Sequence, residues 1–452
     1  MRKKLLYVLG IVMATSMLFG CNPGNPGQVP GSGNPTNTVQ NTSNVSSKED
    51  PAMNEATNLT AGKGGLEIEK KAPEAGEINA LSGAAVNLFG EVLKNDPRGN
   101  VLLSPISISM ALGMTENGAD GETLKQMQDT VNGGLTAEEM NKIMAYTSDK
   151  LNHSDFVTWK SANSIWFKDD GLWEMKDEFL NKTVSYYNAE VWKAPFDDST
   201  LKDINGWIEN KTDGMIPNAL DEIKEDARMY LINGLAFEGK WMEQFEDYQV
   251  GEDVDFTNAD GTKSKVTMLY GTENRYFTLG DGEGFLKYYE GGQYAFVGIL
   301  PKEGIECSDY IQKIASDGES FAEAVKNAEY QDVNIMMPEF SLDYGIELKD
   351  TYKAMGMENP FDAGAEFDKM MAPVSGEDLN IWIERIIHKT HLELDRNGTS
   401  AAAATIVEVA VEGCVMEPEE PREVYLDRPF VYAIVDTETG LPMFLGCQNF
   451  ME

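Results

Sequence analysis

The fold prediction depends on one stretch, Gly398-Thr399-Ser400-Ala401-Ala402-Ala403-Ala404-Thr405-Ile406-Val407-Glu408-Val409-Ala410-Val411-Glu412. Every second residue from Thr399 to Val411 is uncharged, and both glutamates fall on the opposite face. This period of two predicts a strand with one buried side. Because the first half carries only small side chains, such a strand could slip between two neighbours that offer no deep pockets. The stretch therefore predicts a segment able to enter a sheet.

The segment that follows, residues 413–421, is poor material for a helix or a strand. It carries Pro418 and Pro421 among acidic residues, and proline punctuates regular structure. We expect this segment to be exposed.

Helical patterns lie mostly in the first half of the chain. Apolar spacing predicts helices over 80–94, 106–114 and 201–212. The first ends at the breaker Asn95-Asp96-Pro97, and the second follows a capping Ser104 with Pro105 at its first position. Strand patterns dominate later, over 294–300, 333–337, 379–383, 424–426, 431–435 and 443–445. This segregation favours an α+β fold over alternating βαβ units.

Six blocks in order resemble the serpin family over about 350 residues. They are residues 100–108, 118–123, 204–212 and 233–241, the hinge from Gly398 to Thr405, and residues 426–431. The resemblance implies a serpin fold of three β-sheets with eight to nine helices and an exposed reactive-centre loop. It also implies that the chain is not an enzyme but a suicide-type inhibitor of serine endopeptidases. A protease would attack the loop, form an acyl-enzyme, and be trapped when the freed strand inserts into the main sheet.

The resemblance also assigns residues to the inhibitory site. The loop hinge comprises Gly398, Thr399, Ser400, Ala401, Ala402, Ala403, Ala404 and Thr405. At the usual family spacing the reactive bond is Glu412-Gly413, with Val411, Val415 or Met416 as alternatives. Glu412 would suit a Glu-directed protease, and the apolar alternatives an elastase-like or chymotrypsin-like enzyme. Arg396 departs from the family pattern, because inhibitory members commonly carry glutamate two residues before the hinge glycine.

Two further interpretations stay open. Cysteine proteases are possible targets, since they also form acyl intermediates. A non-inhibitory serpin, acting as a surface binding or structural protein, is the competing class. Charge or proline at the inward positions of the hinge would favour that class, and residues 399–411 have neither at those positions.

The N-terminus predicts export. Arg2, Lys3 and Lys4 precede an apolar run that ends at Gly20-Cys21, as in a secretory signal. Residues 22–47 have no charge and few aliphatic side chains, so they cannot bury enough surface to order themselves. We interpret 1–21 as a lipoprotein signal ending at the lipobox Cys21, 22–72 as a disordered tether, and 73–452 as a serpin domain. The protein would be anchored at the bacterial cell surface through Cys21, or secreted in free form.

Composition excludes several functions. The net charge of −38 disfavours nucleic acid, anionic lipid and heparin-like polyanions as partners, because their recognition needs Lys and Arg. Such a charge favours a soluble monomer. The other cysteines, Cys307, Cys414 and Cys447, form no motif, and His388 and His391 would face opposite sides of a strand. We therefore predict no metal site and no cofactor.

Overall fold

A computed structural model describes residues 53–224, 227–374, 380–399 and 420–451. Within these ranges it contains nine α-helices and three sheets, which confirms the predicted α+β fold. The helices are α1 Ala75–Asn95, α2 Pro105–Glu116, α3 Gly121–Val131, α4 Ala137–Asn152, α5 Asp177–Tyr187, α6 Asp198–Lys211, α7 Cys307–Asp317, α8 Phe321–Lys326 and α9 Lys349–Ala354. Short 3₁₀ turns lie at Asp247–Gln249 and Asn359–Phe361. No helix among these residues is long and apolar enough to cross a membrane.

Eighteen strands are present in the described part of the chain. They are β1 Thr57–Asn58, β2 Val101–Leu103, β3 Val157–Lys168, β4 Trp173–Met175, β5 Glu190–Ala194, β6 Met229–Lys240, β7 Val250–Thr257, β8 Lys263–Leu279, β9 Gly282–Tyr288, β10 Tyr294–Pro301, β11 Glu329–Pro338, β12 Phe340–Glu347, β13 Met371–Pro373, β14 Arg385–Leu394, β15 Gly398–Thr399, β16 Arg422–Tyr425, β17 Phe430–Asp436 and β18 Pro442–Gln448.

The main sheet has seven strands in the order β1-β5-β3-β6-β15-β14-β12. Helix α6 packs on one face, where Ile204, Trp207 and Ile208 join a buried cluster with Trp166 and Trp192 of β3 and β5. Helix α2 lies on the opposite face, where Asn233 of β6 reaches Ser107. The sheet is therefore enclosed between α6 and α2.

The second sheet has nine strands, in the order β16-β11-β8-β9-β10-β17-β18-β2 with β7 paired to β8. Strands β17 and β18 are buried along their whole lengths, as expected for continuous apolar runs. The third sheet pairs only β13 with β4. The large apolar core extends across both larger sheets and α1 to α5.

The local signals correctly placed the three helices predicted from the sequence, which are α1, α2 and α6. The Ser104 side chain accepts a hydrogen bond from Ser107 N at the start of α2, and Pro105 is its first residue. Helix α1 ends one residue before Asp96, at the predicted breaker. The helix predicted over 201–212 is α6. These ends depend on caps and proline, which act within a few residues.

Five of the six predicted strands are confirmed as β10, β11, β16, β17 and β18. The strand predicted over 379–383 is wrong, because residues 380–384 form no strand and β14 begins only at Arg385. Ile381 and Ile383 are buried, which explains the alternation. Ile383 N, however, donates to Pro360 O rather than to a sheet ladder.

The predicted tether is also too long at its C-terminal end. Thr57 and Asn58 form β1 against β5, and the amides of Glu55 and Ala56 donate to the Asp203 carboxylate of α6. The low-complexity composition that predicted disorder stops at residue 47, and extending it to residue 72 was wrong. From Met53 onward the described chain lies against the domain.

Candidate functional site

The hinge begins inside the main sheet. Gly398 and Thr399 form β15, which pairs antiparallel with Lys240 and Gly239 of β6, and Thr399 pairs antiparallel with Leu394 of β14. Gly398 has φ 155°, and a Cβ there would lie 2.1 Å from Gly239 O. Only glycine permits this close approach of two backbones. The first two residues of the hinge thus already occupy the gap between β6 and β14.

A tight turn delivers the chain into this gap. The Asp395 carboxylate accepts hydrogen bonds from Asn397 N at 2.7 Å and Gly398 N at 3.0 Å. Trp241 also binds this turn through two hydrogen bonds. Its backbone N donates to Asn397 O and its indole Nε1 donates to Asp395 O, each at 2.9 Å. The entry point of the hinge is therefore fixed by Trp241, the residue that follows β6.

Thr399 is fully buried. Its Oγ1 lies 2.6 Å from the hydroxyl of Tyr289, which follows β9. Burial raises the pKa of the Tyr289 hydroxyl, so this group stays neutral. The Tyr289 ring stacks on Trp241 with centroids 4.5 Å apart. Withdrawing Thr399 from the sheet would leave a buried tyrosine hydroxyl without a partner.

Arg396, which departs from the family pattern, has acidic partners. Its guanidinium forms an ion pair with Asp247 at 2.7 Å, where the Asp247 side chain is 97% exposed. Its backbone N donates to Glu339 Oε1 at 2.9 Å. Burial raises the pKa of Glu339, and the bond from Arg396 opposes that rise. The arginine is accommodated on the surface, beside the hinge rather than within the sheet.

The other end of the gap is closed. Strands β6 and β14 pair in parallel through seven register positions, from Tyr230↔Arg385 to Ala236↔His391. At the centre, Asn233 lies opposite His388. His388 Nε2 accepts from Ser104 N at 3.0 Å, so its Nδ1 carries the proton and donates to Asn233 Oδ1 at 2.6 Å. Burial lowers the pKa of His388 to about 3, so the ring is neutral.

The Asn233 amide extends this polar cluster, which we call the clasp and define as Ser104, Ser107, Asn163, Asn233 and His388. Asn233 Nδ2 donates to Ser107 O and to Asn163 Oδ1. Ser104 Oγ in turn donates to Met443 O. The clasp joins β3, β6, β14 and α2 beneath the sheet, and a strand entering between β6 and β14 must separate Asn233 from His388.

The structure describes Gly398 and Thr399 of the predicted hinge, and sequence reasoning missed the clasp. Asn233 and His388 are 155 residues apart, so no local spacing connects them. The available signal was Asn233 within an otherwise apolar stretch of β6. Strand β14 carries several polar and charged residues, so its sequence does not single out His388. The remaining predicted site residues lie outside the described residues: Ser400, Ala401, Ala402, Ala403, Ala404, Thr405, Val411, Glu412, Gly413, Val415, Met416 and Cys21.

The histidine prediction is confirmed in its geometry. His388 is buried against α2, whereas His391 sits on the other side of β14 and binds Asp343 through Nδ1 at 2.7 Å. Among the described residues no three His, Cys, Asp or Glu side chains are grouped as metal ligands. Cys307 and Cys447 are free and buried.

Comparison with known proteins agrees with this geometry. A family model described as Serpin (serine protease inhibitor) matches residues 79–449. Iripin-8 from Ixodes ricinus is 29% identical over 376 residues, covering 80% of this chain and 90% of the relative. The solved structure of the thermophilic serpin tengpin in its native state shares 34% identity and a TM-score of 0.79, over 88% of this chain and 100% of that one. The latent state of tengpin gives 33% identity and 0.72, over 85% and 100%.

Proposed function

The chain belongs to the serpin family, and from that premise we propose that it is a suicide inhibitor that traps serine proteases by loop insertion. Serpins are mostly protease inhibitors rather than enzymes, and proteases are the general targets of the family. The proposal adds the mechanism for this chain: cleavage of the loop, an ester to the protease serine, and insertion of the loop behind Thr399 into the main sheet.

The observation that carries the proposal is the direction of β15. It runs antiparallel to both β6 and β14, which run parallel to each other. Extending β15 would therefore replace one parallel ladder by two antiparallel ladders, which are slightly more stable per residue. Thirteen residues from Thr399 would form a strand of about 43 Å. With about a dozen new hydrogen bonds at about 1 kcal/mol each, insertion would be strongly downhill.

The clasp supplies the opposing barrier. Insertion must break the His388–Asn233 bond and the seven paired positions of β6 and β14 before the new ladders are complete. A stable inserted state behind such a barrier makes the uninserted state metastable. Stored free energy of this kind is what a trapping mechanism requires.

We propose Glu412-Gly413 as the reactive bond, on the family spacing from Gly398. The target classes that follow are Glu-directed proteases, or elastase-like and chymotrypsin-like proteases if Val411, Val415 or Met416 supplies the specificity side chain. No cofactor is needed, because the protease supplies the catalytic groups.

The decisive experiment incubates the chain with a panel of these serine proteases and runs the products under denaturing conditions. A complex that survives denaturant, linked through the loop, is expected for at least one protease. Mass spectrometry of the complex and of the released C-terminal peptide would identify the bond. Clean loop cleavage by every protease, with no complex and no gain in thermal stability, would instead support a non-inhibitory surface protein.

We further propose lipid anchoring at Cys21 on the outer face of a bacterial membrane. The support is the signal-like segment before Cys21 and the uncharged residues 22–47 after it. Expression in a bacterium with a labelled fatty acid should label the wild type and leave Cys21→Ser unlabelled. An unlabelled wild type in the medium would favour the free secreted form.

A further inference from the structure

A buried carboxyl group lies at the end of α2, away from the hinge and the clasp. Glu116, the last residue of α2, is 1% exposed, and Asn132, directly after α3, is fully buried. Asn132 Nδ2 donates to Glu116 Oε2 at 2.8 Å. The other oxygen of each group, Glu116 Oε1 and Asn132 Oδ1, has no hydrogen-bond partner among the described residues. One contact thus leaves two buried oxygens unsatisfied.

Flipping the Asn132 side-chain amide does not give these two oxygens a hydrogen-bond donor. Asn132 Nδ2 also donates to Leu135 O at 3.3 Å, so both of its hydrogens have acceptors. Exchanging the amide O and N would place Oδ1 against Leu135 O and against the carboxyl group, oxygen facing oxygen. The amide orientation is therefore fixed, and what the pair lacks is a donor.

We propose that Glu116 is a neutral carboxylic acid in the native protein and that its Oε1–H donates to Asn132 Oδ1. The two groups then form a closed acid–amide pair with two hydrogen bonds, and one proton satisfies both remaining oxygens. That proton is taken from solvent when the glutamate carboxylate is buried during folding.

The surroundings favour the neutral form. Burial raises the pKa of Glu116 to about 8, and the bond from Asn132 only partly opposes that rise. The titratable groups that face it are Tyr187 of α5 and Tyr352 of α9, whose pKa values burial also raises. Both are uncharged where the glutamate titrates. The C-terminal end of a helix further disfavours an anion.

The bound proton makes native stability depend on pH. A free glutamate ionises near pH 4.3, so between about pH 5 and pH 8 the unfolded chain is ionised at this residue while the native chain is protonated. The stabilisation is complete below the unfolded pKa and is lost as pH rises through the native pKa. Within this window the unfolding equilibrium constant rises about tenfold per pH unit through this one group. Because α2 packs against β3 and β6, raising the pH from about 5 to 8 would weaken this support of the main sheet.

The test compares wild type with Glu116→Gln across pH 5.5 to 7.5. The glutamine amide supplies the same donor to Asn132 Oδ1 permanently and cannot ionise. The urea concentration of the first unfolding transition should fall with rising pH for the wild type relative to the variant, by the equivalent of about tenfold per unit. Glu303→Gln, an exposed site, is the matched control and should track the wild type. Parallel pH profiles for wild type and Glu116→Gln would overturn the proposal.

A second measurement does not need the variant to fold. Infrared difference spectra of the native wild type between pH 7 and pH 10 should show the loss of a neutral carboxyl band and the gain of a carboxylate band. A native protein with no neutral carboxyl band at pH 7 would also overturn the proposal.

Discussion

The two ends of the β6/β14 strand pair are built differently. At one end the strands part, and only the short β15 with one buried side-chain bond, Tyr289 to Thr399, lies between them. At the other end seven paired positions close the sheet over the clasp. The open end offers a starting point for insertion, and the closed end offers resistance. Substitutions at the open end should therefore alter loop insertion, and substitutions at the closed end should alter the stability of the uninserted state.

The largest expected effect is from Thr399→Arg at the open end. Thr399 is fully buried, and an arginine there would lose several kcal/mol of hydration without an ion partner. Since 1.4 kcal/mol is a factor of ten, the number of inhibitor molecules consumed per trapped protease should rise more than about tenfold. Titration of a susceptible protease measures this ratio. Thr278→Arg, at an exposed site, should behave as wild type, and an active Thr399→Arg would refute insertion from this point.

At the closed end, His388→Ala should destabilise the uninserted state by about 2 to 6 kcal/mol. It leaves Ser104 N and Asn233 Oδ1 buried without partners, at about 1 to 3 kcal/mol each. His391→Ala, three residues along the same strand, removes only a partly exposed pair with Asp343, worth at most about 1 kcal/mol. Urea unfolding of both variants measures the contrast. Equal losses of unfolding free energy in the two variants would show that the clasp does not specifically oppose separation of β6 and β14.

Acid should weaken the closed end. The native pKa of His388 is lowered to about 3, against about 6.5 in an unfolded chain, so below pH 6.5 only the unfolded chain gains the proton. The stabilisation is present above pH 6.5 and is lost as pH falls, at about 1.4 kcal/mol per unit. The stability gap between wild type and His388→Ala should narrow by about 2 kcal/mol from pH 6.5 to 4.5. A gap independent of pH would contradict the neutral buried histidine.

Tyr289→Phe should loosen the open end by about 1 kcal/mol, the net worth of one hydrogen bond. Hydrogen exchange at the Asn397 and Gly398 amides should accelerate about fivefold, because Thr399 would leave the gap more often. Thr399→Val removes the same bond from the other side. If both changes act through this one bond, the exchange rate of the double variant should rise by less than the two single effects combined. Strictly additive effects would show that the Tyr289–Thr399 bond does not hold the open end.

The smallest effect is expected from Arg396→Ala. Its ion pair with Asp247 lies at the surface, where such pairs contribute about 0 to 1 kcal/mol and are screened by salt. The change in trapping efficiency should be less than about fivefold and should shrink with added salt. A large, salt-independent loss would show that this arginine acts within the sheet.

Local chemistry correctly predicted three of the nine described helices and five of the eighteen described strands. Ser104 and Pro105 mark the beginning of α2. The alternation from Thr399 predicts a strand, and Thr399, the one residue of it that the structure describes, is paired in β15. The clasp could not be predicted, because a bond between Asn233 and His388 needs the parallel pairing of two distant strands. The alternation at Ile381 and Ile383 led to a wrong strand prediction, because burial can alternate along a segment that has no partner strand. Likewise, a two-residue strand such as β1 carries no pattern of its own.

Strand β1 has a practical meaning for any shortened form of the protein. It pairs with Trp192 and Lys193 at the outer edge of β5, which would otherwise present unpaired backbone N–H and C=O groups there. Open sheet edges are templates for pairing with another chain. A protein trimmed to begin at residue 73 would keep every helix from α1 onward and still lose this cover. Self-association of such a fragment would reflect an uncovered edge rather than a defect of the core.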